Sequence, residues 1–241
     1  VLVTGTFSGI HNISGETLLF LVLSGLATGA SWLCYFHALQ KGDVNKVVPI
    51  DKSSTILTIF LALIFLHEGL TWAKLGCVCL IAIGTYMMIS RKKVIEDTKK
   101  KDSSWFIYAV LSAVFASLTA ILGKVGISGI DSNLGTAIRT TVVLLMAWLM
   151  VFVQGKQKEV KEIEKKELLF IGLSGIATGA SWLCYYRALQ EGPASVVVPI
   201  DKLSILVTIA FSWIVFHEKL TRKSAVGVVL ITVGTVLMTM A

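Results

Sequence analysis

Three prolines and four cysteines are all that 241 residues contain of either type. Charged residues are scarce as well, at 15%, and no long polar stretch has the balance of a soluble domain. Also missing are a Gly-x-Ser-x-Gly elbow, a His-Glu-x-x-His helix and a phosphate-binding loop. That leaves hydrolysis and ATP-driven work without their usual parts, and the chain reads as a non-enzyme. His67-Glu68 and His217-Glu218 have no second histidine one turn on. Cys34, Cys77, Cys79 and Cys184 sit in apolar runs, clear of any His or Cys cluster. Each reads as a small buried hydrophobe, and no metal, disulfide or cofactor is expected. No charged-then-apolar leader follows Val1, so no signal peptide is expected.

What is abundant is apolar: 55% of the residues are hydrophobic and the mean hydropathy is +0.79. Apolar runs of about 20 residues match the length a helix needs to cross a bilayer, so the chain reads as a multi-pass helical membrane protein. The net charge of +7 is carried by lysines in the short connectors between those runs. That placement orients helices in a membrane and does not build a nucleic-acid face.

The chain also contains itself. Ser24-Gly25-Leu26-Ala27-Thr28-Gly29-Ala30-Ser31-Trp32-Leu33-Cys34-Tyr35 returns from Ser174 as Ser-Gly-Ile-Ala-Thr-Gly-Ala-Ser-Trp-Leu-Cys-Tyr. Val48-Pro49-Ile50-Asp51-Lys52 returns from Val198, and His67-Glu68 from His217, always at an offset of 150 positions. A long fixed period inside apolar sequence signals a duplicated membrane unit. Eight spanning helices are expected, at 18–40, 44–66, 73–90, 105–126, 133–154, 168–190, 194–216 and 224–240. They fall into a first repeat at 1–90 holding its last three helices, a basic cytoplasmic linker at 91–104 and a complete five-helix second repeat at 105–241. The first two helices of the first copy then lie before Val1, an expectation of ten helices in all.

Loop charge sets the orientation. Connectors on one side carry Lys41, Lys46, the cluster from Arg91 to Lys101, the lysines of 156–166, Lys219, Arg222 and Lys223, while the other side has Lys74 alone. The first side is predicted cytoplasmic. The stretch 5–16 lacks Lys and Arg, whereas its equivalent 155–166 has five Lys. An odd number of helices per copy inverts the second copy, so the repeats are expected to be related by an axis in the membrane plane.

The Pro-Ile-Asp-Lys pairs are the leading site candidates. Asp51 lies roughly 10 Å into its predicted helix, within about 5 Å of the bilayer midplane. Ionisable groups at that depth face protein or water. Asp51 shares a stripe with Ser54 and Thr58, and Asp201 with Ser204 and Thr208; Lys52 and Lys202 sit over aliphatic neighbours. Pro49 and Pro199 free carbonyls one turn earlier and favour a break in the helix. Arg139 is the expected partner of Asp201. Trp32 with Tyr35, and Trp182 with Tyr185, each share a helix face and line a cavity or anchor an interface. The Gly25/Gly29 and Gly175/Gly179 pairs bring helices close. Lys124 and Arg187 are expected to reach headgroups, and Glu68 and Glu218 to mark a wet boundary or gate.

These Trp-Leu-Cys-Tyr, Ala-Leu-Gln, Val-Pro-Ile-Asp-Lys and His-Glu blocks resemble the EamA repeat of the drug/metabolite transporter superfamily. The resemblance implies two inverted five-helix repeats, a central cavity and secondary transport of small organic solutes. The small multidrug resistance relatives carry a membrane glutamate in the first helix of the repeat. The matching helix here, 105–124, has no acid, which counts against that route of proton-coupled export. The expectation is therefore an alternating-access carrier in the plasma or inner membrane. Its partners are the lipid bilayer and a small-molecule substrate, anionic or zwitterionic by the excess of membrane cations, with a homodimer left open. The rival readings are a non-transporting assembly or lipid-carrier subunit, and an intramembrane enzyme.

Overall fold

The computed structural model describes residues 13–42, 47, 50–69, 71–88, 104–155, 157–217 and 221–240. Residues 1–12, Lys46, Pro49, Glu218, Lys219, most of the basic linker and the side chain of Thr208 lie outside the described residues. The described residues form helices and no strand: α1 (Gly15–Lys41), α2 (Ser54–Phe65), α3 (Trp72–Met88), α4 (Ser104–Ile127), α5 (Ser132–Val153), α6 (Gln157–Lys161), α7 (Lys165–Glu191), α8 (Ala194–Lys202), α9 (Ser204–Phe216) and α10 (Arg222–Met240). Of these, α1, α4, α5, α7 and α10 are each long and apolar enough to cross a membrane. This is an all-α, multi-pass membrane architecture.

The repeat is visible in the helix bounds. α1 and α7 begin and end at equivalent positions, and α3 and α10 begin at equivalent positions. His67 (φ 51°) and His217 (φ 54°) both adopt the left-handed conformation that ends a helix.

The expected span 194–216 is not one helix. Leu203 bonds the carbonyl of Ile200, three residues back, and Ser53 does the same with Ile50. A tighter turn therefore interrupts both copies immediately after the Asp-Lys pair. Pro199 lies inside α8, so the break falls one turn after the proline and not, as expected, at the carbonyls before it. At Ser53 the hydroxyl also takes the Ile50 carbonyl, at 2.6 Å, which draws that carbonyl out of the regular ladder.

Two compact units divide the chain: Val1–Gly29 with Leu122–Gly192, and Ala30–Ile121 with Pro193–Ala241. Each unit draws on both sequence copies. In the second unit α3 lies on α10, and small residues let the backbones meet. A Cβ at Gly84 would stand 2.6 Å from the Gly227 carbonyl and 2.8 Å from Ile231; one at Gly234 would stand 3.0 Å from Ile81 and 3.1 Å from the Cys77 carbonyl. Alongside, Ile59, Cys77, Val78 and Met238 form a buried core.

In the first unit the Gly25/Gly29 face closes on α5. A Cβ at Gly25 would be 2.8 Å from Val142 and one at Gly29 2.6 Å from Met146. Gly175 and Gly179, at the same positions of α7, have nothing within 4 Å, and α7 is exposed throughout residues 165–181. Among the described residues, the small-residue face thus joins helices in one copy only.

Candidate functional site

In the second unit the ends of the broken helices bring Asp51, Lys52, Asp201 and Lys202 together. Lys52 lies within electrostatic range of Asp51, Asp201 and Lys202. The two carboxylates are held differently. Asp51 accepts a hydrogen bond from Ser112 of α4 at 2.8 Å, and the carbonyl of Ser112 accepts one from Ser31 of α1 at 3.1 Å. Both serines are buried, so the bond to Asp51 is of the charge-assisted kind worth about 1.5–3 kcal/mol. Asp201 meets the Lys202 ammonium at 3.3 Å, both groups being partly exposed, a contact worth at most about 1 kcal/mol. Thr58 is buried on the Asp51 stripe, Ser54 is half-buried and Ser204 is exposed. Lys52 is exposed too, while Ile59 beneath it is fully buried.

Glu68 takes a part that its place in the sequence does not announce. Left-handed His67 turns the chain out of α2, and the Glu68 carboxylate then accepts from the backbone N–H groups of Ala194 (2.6 Å) and Ser195 (2.9 Å). It caps the first turn of α8, where unsatisfied N–H groups and the helix dipole favour an anion. The first repeat thereby holds the start of the second repeat's broken span. Glu68 is half-buried and bonded, not the wet boundary group expected.

Arg139, the expected partner of Asp201, has other partners here. In the first unit its Nε donates to Ser24 Oγ at 3.2 Å and its Nη2 donates to Thr28 Oγ1. Two rings flank the guanidinium: Trp182, 4.8 Å from its carbon to the ring centre, and Tyr186 at 4.5 Å. The side chain is 1% exposed, and Nη1 is buried without a hydrogen-bond partner among the described residues. Gly123 of α4 makes the space: a Cβ there would stand 2.7 Å from the Tyr186 ring and 3.1 Å from Ser24 Oγ. Desolvating a lone cation costs several kcal/mol, and cation–π contacts return about 2 kcal/mol or more each when dry. The two hydroxyls add to that, so the box holds a guanidinium without a carboxylate.

The other aromatic candidates separate. Trp182 belongs to the Arg139 box, and Tyr185 packs edge-on against Tyr186 at 5.2 Å. Trp32 is 47% exposed, and Tyr35 packs against Phe36 at 5.8 Å. Lys124 donates to the carbonyl of Gly192, closing the end of α7, and Arg187 pairs with Glu191 at 2.6 Å; both spend their charge on protein instead of reaching out alone. Cys77 is buried and Cys34 half-buried, whereas Cys79 and Cys184 are exposed, unlike the buried hydrophobes expected. Sequence reasoning passed over Ser24, Thr28, Ser112 and Tyr186. Ser24 and Thr28 lie one turn apart beside the glycines, and that spacing on a membrane helix was the available signal.

Comparison with known proteins places this geometry. A family model described as the EamA-like transporter family matches residues 1–90 and 103–240. A Sinorhizobium protein named "Uncharacterized transporter in cobO 3'region" is 44% identical over 135 residues, covering 56% of this chain and 96% of that protein. An uncharacterized transporter of Helicobacter pylori is 26% identical over 221 residues, covering 90% of this chain and 70% of its own. A probable 4-amino-4-deoxy-L-arabinose-phosphoundecaprenol flippase subunit, ArnE of Erwinia tasmaniensis, is 38% identical over 72 residues, 30% of this chain and 66% of that one. A protein of known crystal structure superposes with a TM-score of 0.70 over 93% of this chain and 87% of its own, at 12% identity. That likeness is one of fold.

Proposed function

The chain belongs to the EamA-like transporter family, and from that premise we propose that it is a secondary carrier of small organic solutes in the plasma or inner membrane, working by alternating access. The observation that carries this reading is the pair of helix breaks beside Asp51-Lys52 and Asp201-Lys202. Broken helices with charged residues at the junction of two repeats are the arrangement around which carriers rock. Irregular backbone inside a membrane persists only where protein or a water-filled cavity satisfies it. The Glu68 cap supports the same reading, since it ties one repeat to the moving part of the other.

The test is flux. Purified protein is reconstituted into liposomes loaded with a defined mixture of amino acids, organic acids and amines, and the loss of each is followed by mass spectrometry. Selective loss of one class relative to protein-free vesicles is expected, and no difference for any class would contradict the carrier reading. A second reading, a membrane subunit acting with a partner chain, is favoured by the bare α7 face and by the relation to a flippase subunit. Activity only on co-expression with a second polypeptide would select it.

A further inference from the structure

We propose that the Arg139 box is a carboxylate-binding subsite, a reading that rests on the carrier function and narrows its substrate to small organic acids or amino acids. Arginine stays protonated in proteins, so the 1%-exposed guanidinium carries a full charge. Its neighbours offer hydroxyls and ring faces, and none of the groups bonded to it is an acid. The described acids nearest in the chain are occupied: Asp131 caps α5 through the N–H groups of Asn133 and Leu134, and Glu191 holds Arg187. A buried cation whose Nη1 has no hydrogen-bond partner among the described residues is complementary to an anionic group.

Geometry selects the class. Nε and Nη2 each donate to a hydroxyl, of Ser24 and Thr28, which orients the guanidinium and leaves Nη1 without a partner among the described residues. Trp182 and Tyr186 present their ring faces to the guanidinium, so a ligand at Nη1 would have aromatic surface beside it for an apolar body. One cation balances one carboxylate. A phosphate dianion would need a second cation; Lys124 and Arg187 are bonded to Gly192 and Glu191, and Lys165 and Lys166 stand at the start of α7, roughly 24 Å along the helix from Trp182. Tyr186 is fully packed while Trp182 is half-buried, so Trp182 is the more open of the two aromatic neighbours.

Trp182 also reports occupancy. The tryptophan fluorescence of the full chain, to which Trp182 contributes one of six indoles, is titrated in non-ionic detergent at constant ionic strength with acetate and benzoate and, in parallel, with the neutral amides acetamide and benzamide. A saturable change is expected with at least one carboxylate, at least tenfold weaker with its amide. It should disappear in Trp182→Phe, which removes the reporter, and in Arg139→Gln. Arg139→Lys should weaken it, because a point charge loses the stacked plane. Should Arg139→Gln fail to fold, Thr28→Val replaces it, with an expected weakening of at least threefold. No saturable change with either carboxylate, equal response to acid and amide, or an unchanged titration in the Arg139 and Thr28 variants would overturn the subsite. Flux of a non-acidic solute with no carboxylate binding would defeat the subsite alone. Carboxylate binding with no flux of any solute would defeat the carrier reading alone.

Discussion

Gly84 and Gly234 are the same position in two copies of one sequence, and each is pressed against the other copy's helix. Gly84 meets Gly227 and Ile231; Gly234 meets Cys77 and Ile81, which are the equivalents of those two residues. Such reciprocity is the mark of a twofold axis. As the contacts advance along α3 from Cys77 to Gly84, they retreat along α10 from Gly234 to Gly227, so the helices run antiparallel. An axis relating two antiparallel helices lies across them, and since α10 is long and apolar enough to span the membrane that axis lies in the membrane plane, the inverted arrangement read from the loop charges.

That register predicts a cross-link. In a background without native cysteines, Leu80→Cys with Gly234→Cys should form a disulfide or accept a short bifunctional reagent, since a Cβ at Gly234 would stand 3.1 Å from that of Leu80. Parallel helices would instead join Trp72→Cys to Arg222→Cys, the equivalent helix starts. Gel mobility after protease cleavage in the basic linker separates the outcomes.

Glu68 should matter for stability. Replacing it with Gln keeps the shape but removes the charge that faces two N–H groups of α8, at an expected cost of about 1–2 kcal/mol. A lower midpoint in thermal unfolding is expected, with Glu68→Ala lower still. An unchanged midpoint in both would show the cap to be idle.

The two glycine pairs should answer differently. In the 241-residue chain, Gly25→Leu drives a side chain into Val142 and should cost about 1–3 kcal/mol or more. Gly175→Leu meets nothing and should be tolerated. Thermal unfolding of the two variants side by side makes the comparison, and equal losses would contradict it.

Ser112→Ala should strip Asp51 of its buried donor without opening a cavity larger than one hydroxyl. An effect of about 1.5–3 kcal/mol on the state that uses this bond is expected. Flux should fall several-fold, whereas Ser54→Ala, lacking a bond to either carboxylate, should leave it nearly unchanged.

Much of this was legible in the residues. Period and loop charge together placed the helices and their inversion, because a bilayer leaves few ways to satisfy backbone and charge. Depth alone singles out Asp51 and Asp201, and the structure sets both within electrostatic range of Lys52. The partners were not legible. Charge alone pairs Arg139 with Asp201, yet hydroxyls and aromatic faces are what surround it, an environment that sequence charge counting cannot weigh. Glu68 escaped because its partner is backbone at Ala194, distant in sequence and without a side-chain signature. The Gly175 face looked like its twin at Gly25, since what differs is the neighbour and not the residues.

The account stands or falls on the two carboxylates flanking Lys52. Flux through liposomes bearing Asp51→Asn, Asp201→Asn and the double variant, at matched protein incorporation and unfolding midpoint, tests it most directly. Each single variant should lose at least tenfold and the double no more than the worse single, because both act on one site. Transport at the parental rate in all three would reduce the Asp-Lys pairs to packing.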